Sequence, residues 1–331
     1  MNEANGQPMK NGALVISLDF ELLWGVRDYV TRDHPYARNI LGAREAIPRL
    51  LELFERRGVS ATWAVVGFLL ARDEEELRAM SPEIRPKYAN AALDSYGQAV
   101  GKGERDDPFH YAPSLVARIL DTPGQEMASH TFSHYYCLEP GQGLEAFEAD
   151  LAAFGRIADT WGFMPRSIVF PRNQLNLDYG PALARNGYFA YRGNPAGFSA
   201  CEAGTSAGLG RRILRSADLY VNIYGRHTYA PSGDNPGGLR NVPASFMFRP
   251  WTPRLATFEW LRLRRLMASL RYAVRSNQIM HIWFHPHNFG LHTDENMRVL
   301  DDFLEIFTKY RDEYGLLSLG MKDASRQILC L

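Results

Sequence analysis

ALVISLD (residues 13–19), GAREAIPRLLELFERR (42–57) and VSATWAVVG (59–67) decide the architecture. The first stretch is a short apolar run too brief for a helix, with its acid at the end, and reads as a buried strand. The second carries Ile47, Leu50, Leu51 and Phe54 on one helical face, and Gly58 is placed to stop it. The third is again strand-like. Strand, helix, strand is the unit of a parallel sheet, because parallel neighbours need a crossover between them.

The rhythm continues outward. QEMASH (125–130) reads as a short strand, and residues 143–160 as a helix with Leu144, Phe147, Leu151, Phe154 and Ile157 recurring at three and four. SIVFP and YFAYRG read as strands, with a short helix over 178–186 between them. An arginine-rich helix (254–275), the strand QIMHIWFH, a long helix (294–313) and the strand GLLSLG complete the order. Two regions interrupt it. Residues 72–110 are charged and then rich in Pro, Gly, Asn and Asp, and residues 193–250 are rich in Gly, Pro, Ser and Asn. Both read as insertions on one catalytic domain spanning 13–331, after a flexible N-terminal stretch (1–12). The expected fold is α/β, a distorted or incomplete barrel of about seven parallel strands. A doubly wound open sheet is the alternative, weakened by the lack of a GxGxxG or GxxxxGK[ST] motif.

Composition narrows the function classes. The 331 residues carry 37 basic and 37 acidic side chains, so no global cationic surface for nucleic acid is indicated. Three cysteines without metal-type spacing imply reduced thiols rather than a disulfide framework. The stretch MNEANGQPMKNG is polar and ALVISL is too short for a leader or a membrane span, so a cytoplasmic protein is expected, with peripheral contact at the inner membrane face left open.

Chemistry concentrates at three strand ends. Asp19 and Glu21, two apart, point to one side of an extended chain. His130 and His134 are four apart in SHTFSH, and His285 ends MHIWFH. Acids and histidines at the C-terminal ends of parallel strands stand where α/β active sites are built. Two histidines with one carboxylate are a common ligand set for catalytic zinc, which leaves a position for water. The remaining acid can take a proton and His285 can give one. His281 is four residues from His285, about 13 Å along a strand and too far to share a metal. Arg172, ending SIVFPR, can pair with Asp19 and keep it ionised, or bind an anionic substrate group, and Arg192 in YFAYRG offers the same chemistry.

These motifs resemble the polysaccharide deacetylase family of the NodB-homology type. SLDFE is similar to its acid-x-acid motif, HTFSH matches H-[ST]-x-x-H at His130, Thr131 and His134, and FHPHN matches the terminal motif at Phe284, His285 and Pro286. Two departures stand out: FPRNQ has proline before its arginine, and Asn288 replaces the usual Glu. The resemblance implies a distorted seven-stranded barrel and one divalent metal, zinc first, on Glu21, His130 and His134. It further implies Asp19 as general base, His285 as acid, Arg172 as the base-orienting residue and the Tyr135 backbone N–H as oxyanion donor. The base and ligand roles of Asp19 and Glu21 remain exchangeable. The implied substrate is an N-acetylated sugar, carried on a nucleotide or lipid phosphate in surface-polysaccharide (O-antigen) assembly. Arg262, Arg264, Arg265, Arg271 and Arg275 are available to meet that phosphate or a membrane surface. A non-sugar amide or cyclic-ureide hydrolase and a non-catalytic carbohydrate-binding protein are the competing classes.

Overall fold

The computed structural model describes residues 11–195, 217–223, 225–230 and 236–329. Its centre is β1 (Ala13–Phe20), buried along its whole length. Strand β1 lies between β2 (Ala61–Val65) and β8 (Ile279–Phe284), parallel to both, and β9 (Leu317–Leu319) also pairs with it. From β2 the sheet runs through β3 (Gln125–Ser129), β4 (Ser167–Ile168) and β5 (Ala190–Tyr191) to β6 (Arg240–Asn241). On the other side it ends at β7 (Phe246–Met247) beside β8. Every ladder between these strands is parallel, with one isolated antiparallel bridge from Tyr229 to Ile279, and the sheet curls into an incomplete barrel, as the sequence led us to expect.

Period two explains what each face holds. Leu14, Ile16, Leu18 and Phe20 of β1 pack outward with Ile40, Ile47, Leu50 and Phe54 of α1 (Ala37–Arg57) and with Leu300, Phe303 and Phe307 of α7 (Thr293–Tyr314). Ala13 and Val15 face inward, where small side chains fit the narrow lumen, and Ser17, Asp19 and Glu21 follow toward the rim. Helix α1 ends at Gly58 (φ +62°), a left-handed position that suits glycine. Between these helices come α2 (Glu74–Met80), α3 (Pro113–Asp121), α4 (Leu144–Thr160), α5 (Gly180–Arg185) and α6 (Glu259–Ser276).

The two edges, β6 and β7, are consecutive in the chain and fall inside the 193–250 region read as an insertion. No ladder joins them, but the chain itself crosses the opening. Val242 and Ala244 donate to Tyr191 and Gly193 on one side, and Ser245 then donates to the carbonyl of His281 on the other. Pro243, which has no N–H, sits at the crossing. Sequence patterning also missed α8 (Met321–Leu329), which closes the barrel floor: Met321 N–H donates to Thr62 Oγ1, and Lys322 N–H to the buried carboxylate of Glu126. Residues 1–10 and 196–216, with Cys201 and Cys330, lie outside the described residues; Cys137 is buried with a free thiol.

Candidate metal centre

Three strand ends converge at the rim. In β1 the chain leaves the sheet after Phe20 and turns at Glu21 (φ −131°, ψ −17°), which folds the Glu21 carboxyl back over Gly25. A methyl group on residue 25 would stand 2.0 Å from Glu21 Cδ, so any larger residue there would displace the Glu21 carboxyl. In β3 the ladder continues through the His130 N–H, which donates to Val65 at 2.8 Å. The HTFSH stretch then winds into a tight turn, with Thr131 (φ +62°) and His134 (φ +57°) left-handed. Such a conformation is unfavourable for residues bearing a Cβ.

Asp150, fully buried on α4, holds the turn. Its carboxylate accepts from the N–H of Phe132 (2.6 Å), the N–H of Ser133 (3.0 Å) and the Ser133 hydroxyl. Burial pushes its pKa up to about 6, against the lowering effect of those donors. Sequence reading passed over Asp150, although an acid between Phe147, Leu151 and Phe154 on the apolar face of a helix was a visible sign.

The turn aims both imidazoles at one oxygen. His130 Nε2 lies 3.2 Å and His134 Nε2 3.1 Å from Glu21 Oε2, and the three residues are buried. His130 Nδ1 is 2.8 Å from the carbonyl of Val169. A carbonyl only accepts, so the proton of neutral His130 sits on Nδ1 and the bare lone pair of Nε2 faces a carboxylate oxygen. Two acceptors in contact call for a cation between them. Ligands about 2.0–2.1 Å from a tetrahedral zinc stand about 3.3 Å apart, close to the spacing found. The three ligand atoms all lie within 4.8 Å of one another. Burial lowers the His134 pKa to about 3, which keeps that ring neutral, as a ligand must be. A divalent metal therefore fits Glu21, His130 and His134.

Asp19 is held differently. Its two oxygens accept a bidentate pair from Arg192, at 2.6 and 2.7 Å. Arg192 also donates to Ser17 Oγ (3.0 Å) and Asn173 Oδ1 (3.1 Å), and its guanidinium lies 4.5 Å from the Trp283 ring centre. Burial alone would raise the Asp19 pKa; the charge of Arg192 overrides it and leaves the carboxyl below its ordinary value. For Glu21 the same conflict is decided first by the charge of His285, and its pKa falls well below the usual range.

His285 is the most open member, with its side chain 22% exposed. Its Nε2 lies 3.4 Å from Glu21 Oε1 and 3.8 Å from Asp19 Oδ2. On the far side of the ring, Asn288 Nδ2 approaches Nδ1 at 3.4 Å, and Asn288 Oδ1 accepts from Tyr36 OH at 2.7 Å. His281 lies one layer deeper, between Ser17 Oγ (2.8 Å) and the carbonyl of Val242 (3.0 Å).

Two expectations need correction. Arg172 does not reach Asp19: it pairs with Asp28 and stacks on Tyr136, because its own backbone (φ +52°) turns away beyond the end of β4. Arg192 takes that place, since β5 is in register with β4 and position 192 faces the lumen. The Tyr135 N–H is likewise committed, donating to Thr131 Oγ1 at 2.6 Å within the turn. It is not available to an oxyanion.

No family model matches the chain, and no curated protein matches it. Solved structures do. One assigned to polysaccharide deacetylation from Mycobacterium smegmatis superposes with a TM-score of 0.56 at 15% identity, covering 100% of this chain and 93% of that one. A second, from Pseudomonas aeruginosa PAO1, gives 0.54 at 13% identity over 98% and 94%. A GH57-type branching enzyme from Pyrococcus horikoshii gives 0.54 at 13% over 95% and 70%. At these identities the likeness is one of fold, and the fold is shared by proteins named for different chemistries. The side chains must decide between them. Glycosidic-bond chemistry typically needs one carboxyl that holds a proton and one free to attack or to activate water. Here both carboxyls are held below their ordinary pKa by cationic or histidine partners, which suits a metal-dependent hydrolase.

Proposed function

We propose that this protein is a metal-dependent deacetylase acting on an N-acetylated sugar. The observation that carries the reading is the single oxygen of Glu21 shared by two histidines, one with its tautomer fixed by Val169. A divalent cation held there, zinc by the ligand set, would supply Lewis-acid polarisation of the acetyl carbonyl and of water. Asp19, oriented by Arg192, takes the proton of the attacking water. The water oxygen adds to the acetyl carbon. His285, as the imidazolium, delivers a proton from Nε2 to the departing nitrogen as the C–N bond breaks and is left as neutral imidazole beside acetate and a free amine. The Arg192 pair favours orientation of Asp19 over basicity, since it lowers the carboxyl's pKa.

The sugar reading draws support from the strand-end motifs and from the deacetylase names borne by structures of the same fold. Its finer form is an intracellular nucleotide- or lipid-linked precursor of a surface polysaccharide. Purified protein loaded with zinc should release acetate from UDP-linked or lipid-linked N-acetylhexosamine, scored by mass spectrometry as loss of one acetyl group. Asp19→Asn should abolish release and keep the metal, whereas His130→Ala should lose both. Equal turnover by wild type and Asp19→Asn would sink the mechanism. Ammonia release or ring opening in place of acetate would reassign the same centre to a non-sugar amide.

A further inference from the structure

The five arginines of α6 do not form one group. Arg262 and Arg265 are buried: the first bonds Glu259 and the Arg249 carbonyl, and the second bonds the carbonyls of Asp218 and Gly225 and the Ser269 hydroxyl. They hold the helix to the body of the protein. Arg264, Arg271 and Arg275 are exposed. At about 100° per residue they fall, with Trp260, within about 60° of helical arc. Trp260 is 59% exposed, and just before it Phe258 and Leu255 are 49% and 38% exposed. The only acid in the helix is Glu259, which pairs inward with Arg262.

Connectivity places this surface. Helix α6 leads through Asn277 into β8, so its C-terminus lies where the parallel strands begin and its N-terminus lies at the rim bearing Asp19, Glu21 and His285. Trp251, just upstream, packs on His292 with ring centres 5.1 Å apart and donates its N–H to Asn296, in the stretch that follows His285. Leu255, Phe258 and Trp260 therefore project at the catalytic end, and the arginine stripe runs away from it along the barrel wall.

We propose that this face of α6, from Leu255 at the rim to Arg275, docks on an anionic bilayer surface. An aromatic and aliphatic cluster continuous with three arginines that form no ion pair among the described residues, Arg271 donating to Tyr310 OH at 3.1 Å, is complementary to an interface of acyl chains beneath negative headgroups. Each arginine near such a surface and each interfacial aromatic adds affinity. The proposal stands apart from the deacetylase reading, because docking is measured without turnover. It places the metal centre toward lipid-borne material.

The test is co-sedimentation of the full-length protein with phosphatidylcholine vesicles, with and without phosphatidylglycerol, at low and physiological ionic strength. Wild type should partition onto the anionic vesicles only, more weakly as salt rises. Phe258→Ser/Trp260→Ser and Arg264→Glu/Arg271→Glu should each lower the partition at least about tenfold. Arg105→Glu/Arg118→Glu, the same charge change at exposed positions elsewhere, should not. Circular dichroism and metal content establish that each variant is folded. Absence of binding to anionic vesicles at low salt would overturn the proposal, as would wild-type binding by the arginine pair. Binding that survives loss of both aromatics and is displaced equally by heparin would also overturn it, and would mark the stripe as a site for a soluble polyanion.

Discussion

Replacing Arg192 with methionine should cost the fold about 3–5 kcal/mol, the usual penalty for stranding one member of a buried ion pair. Asp19 and Arg192 are 4% and 3% exposed, and both carboxylate oxygens are bonded to the guanidinium. Without it, Asp19 would keep its desolvation cost and lose its first counter-charge, so its pKa should move upward. Methionine fills much of the arginine stem, which confines the loss mainly to charge. The informative design is a cycle of wild type, Arg192→Met, Asp19→Asn and the double variant. Unfolding is followed in urea with a chelator present, so that metal binding does not contribute. The double variant removes both charges and should be more stable than the sum of the single losses predicts, by about 2–3 kcal/mol. Arg172→Met is the contrast. That side chain is 33% exposed and pairs with Asp28 at the surface, so its loss should be within about 1 kcal/mol. If Arg192→Met cost no more than Arg172→Met, or the cycle were additive, the assignment of Arg192 as the partner that stabilises Asp19 would be wrong.

Two further outcomes follow from groups around the site. Asp150→Ala should leave the N–H groups of Phe132 and Ser133 buried without an acceptor, costing about 1–3 kcal/mol each, and should weaken metal affinity because two left-handed residues lose their anchor. Titration with zinc and a competing chelator reads the second effect, and unchanged affinity would count against the anchoring role. His287 is buried and its pKa is lowered to about 3, so from about pH 6.5 downward the unfolded chain binds a proton that the folded chain does not. Its contribution is full above about pH 6.5 and is lost by about 1.4 kcal/mol per pH unit as pH falls toward 3. In His287→Gln the slope of stability against pH should be shallower by that amount over that window. Equal slopes would show that His287 is protonated in the folded protein.

The barrel was legible in the sequence wherever burial imposes a local period. The run ALVISL could only be a strand covered on both faces, and its odd positions led from small residues to Asp19 and Glu21. The HTFSH spacing named both histidines that meet Glu21, because a turn of that length is a local object. Strands β6 and β7 were hidden because each is two residues long, with no room for alternation. Helix α8 falls in the last eleven residues, whose role depends on a distant Glu126.

Partner choice belonged to the tertiary structure. Arg172 and Arg192 both end strand-like stretches, and no local pattern separates them. Register between β4 and β5 aims position 192 into the lumen, while the left-handed backbone at 172 carries that side chain outward to Asp28 and Tyr136. The same holds for α6, where packing against the Asp218 and Phe248 regions buries Arg262 and Arg265 and leaves Arg264, Arg271 and Arg275 in solvent. By itself the sequence determined which residue types stand at the strand ends, since spacing along one chain is a local quantity. Which charge neutralises which was decided only on folding, because a buried pair needs two segments 173 positions apart to meet in register.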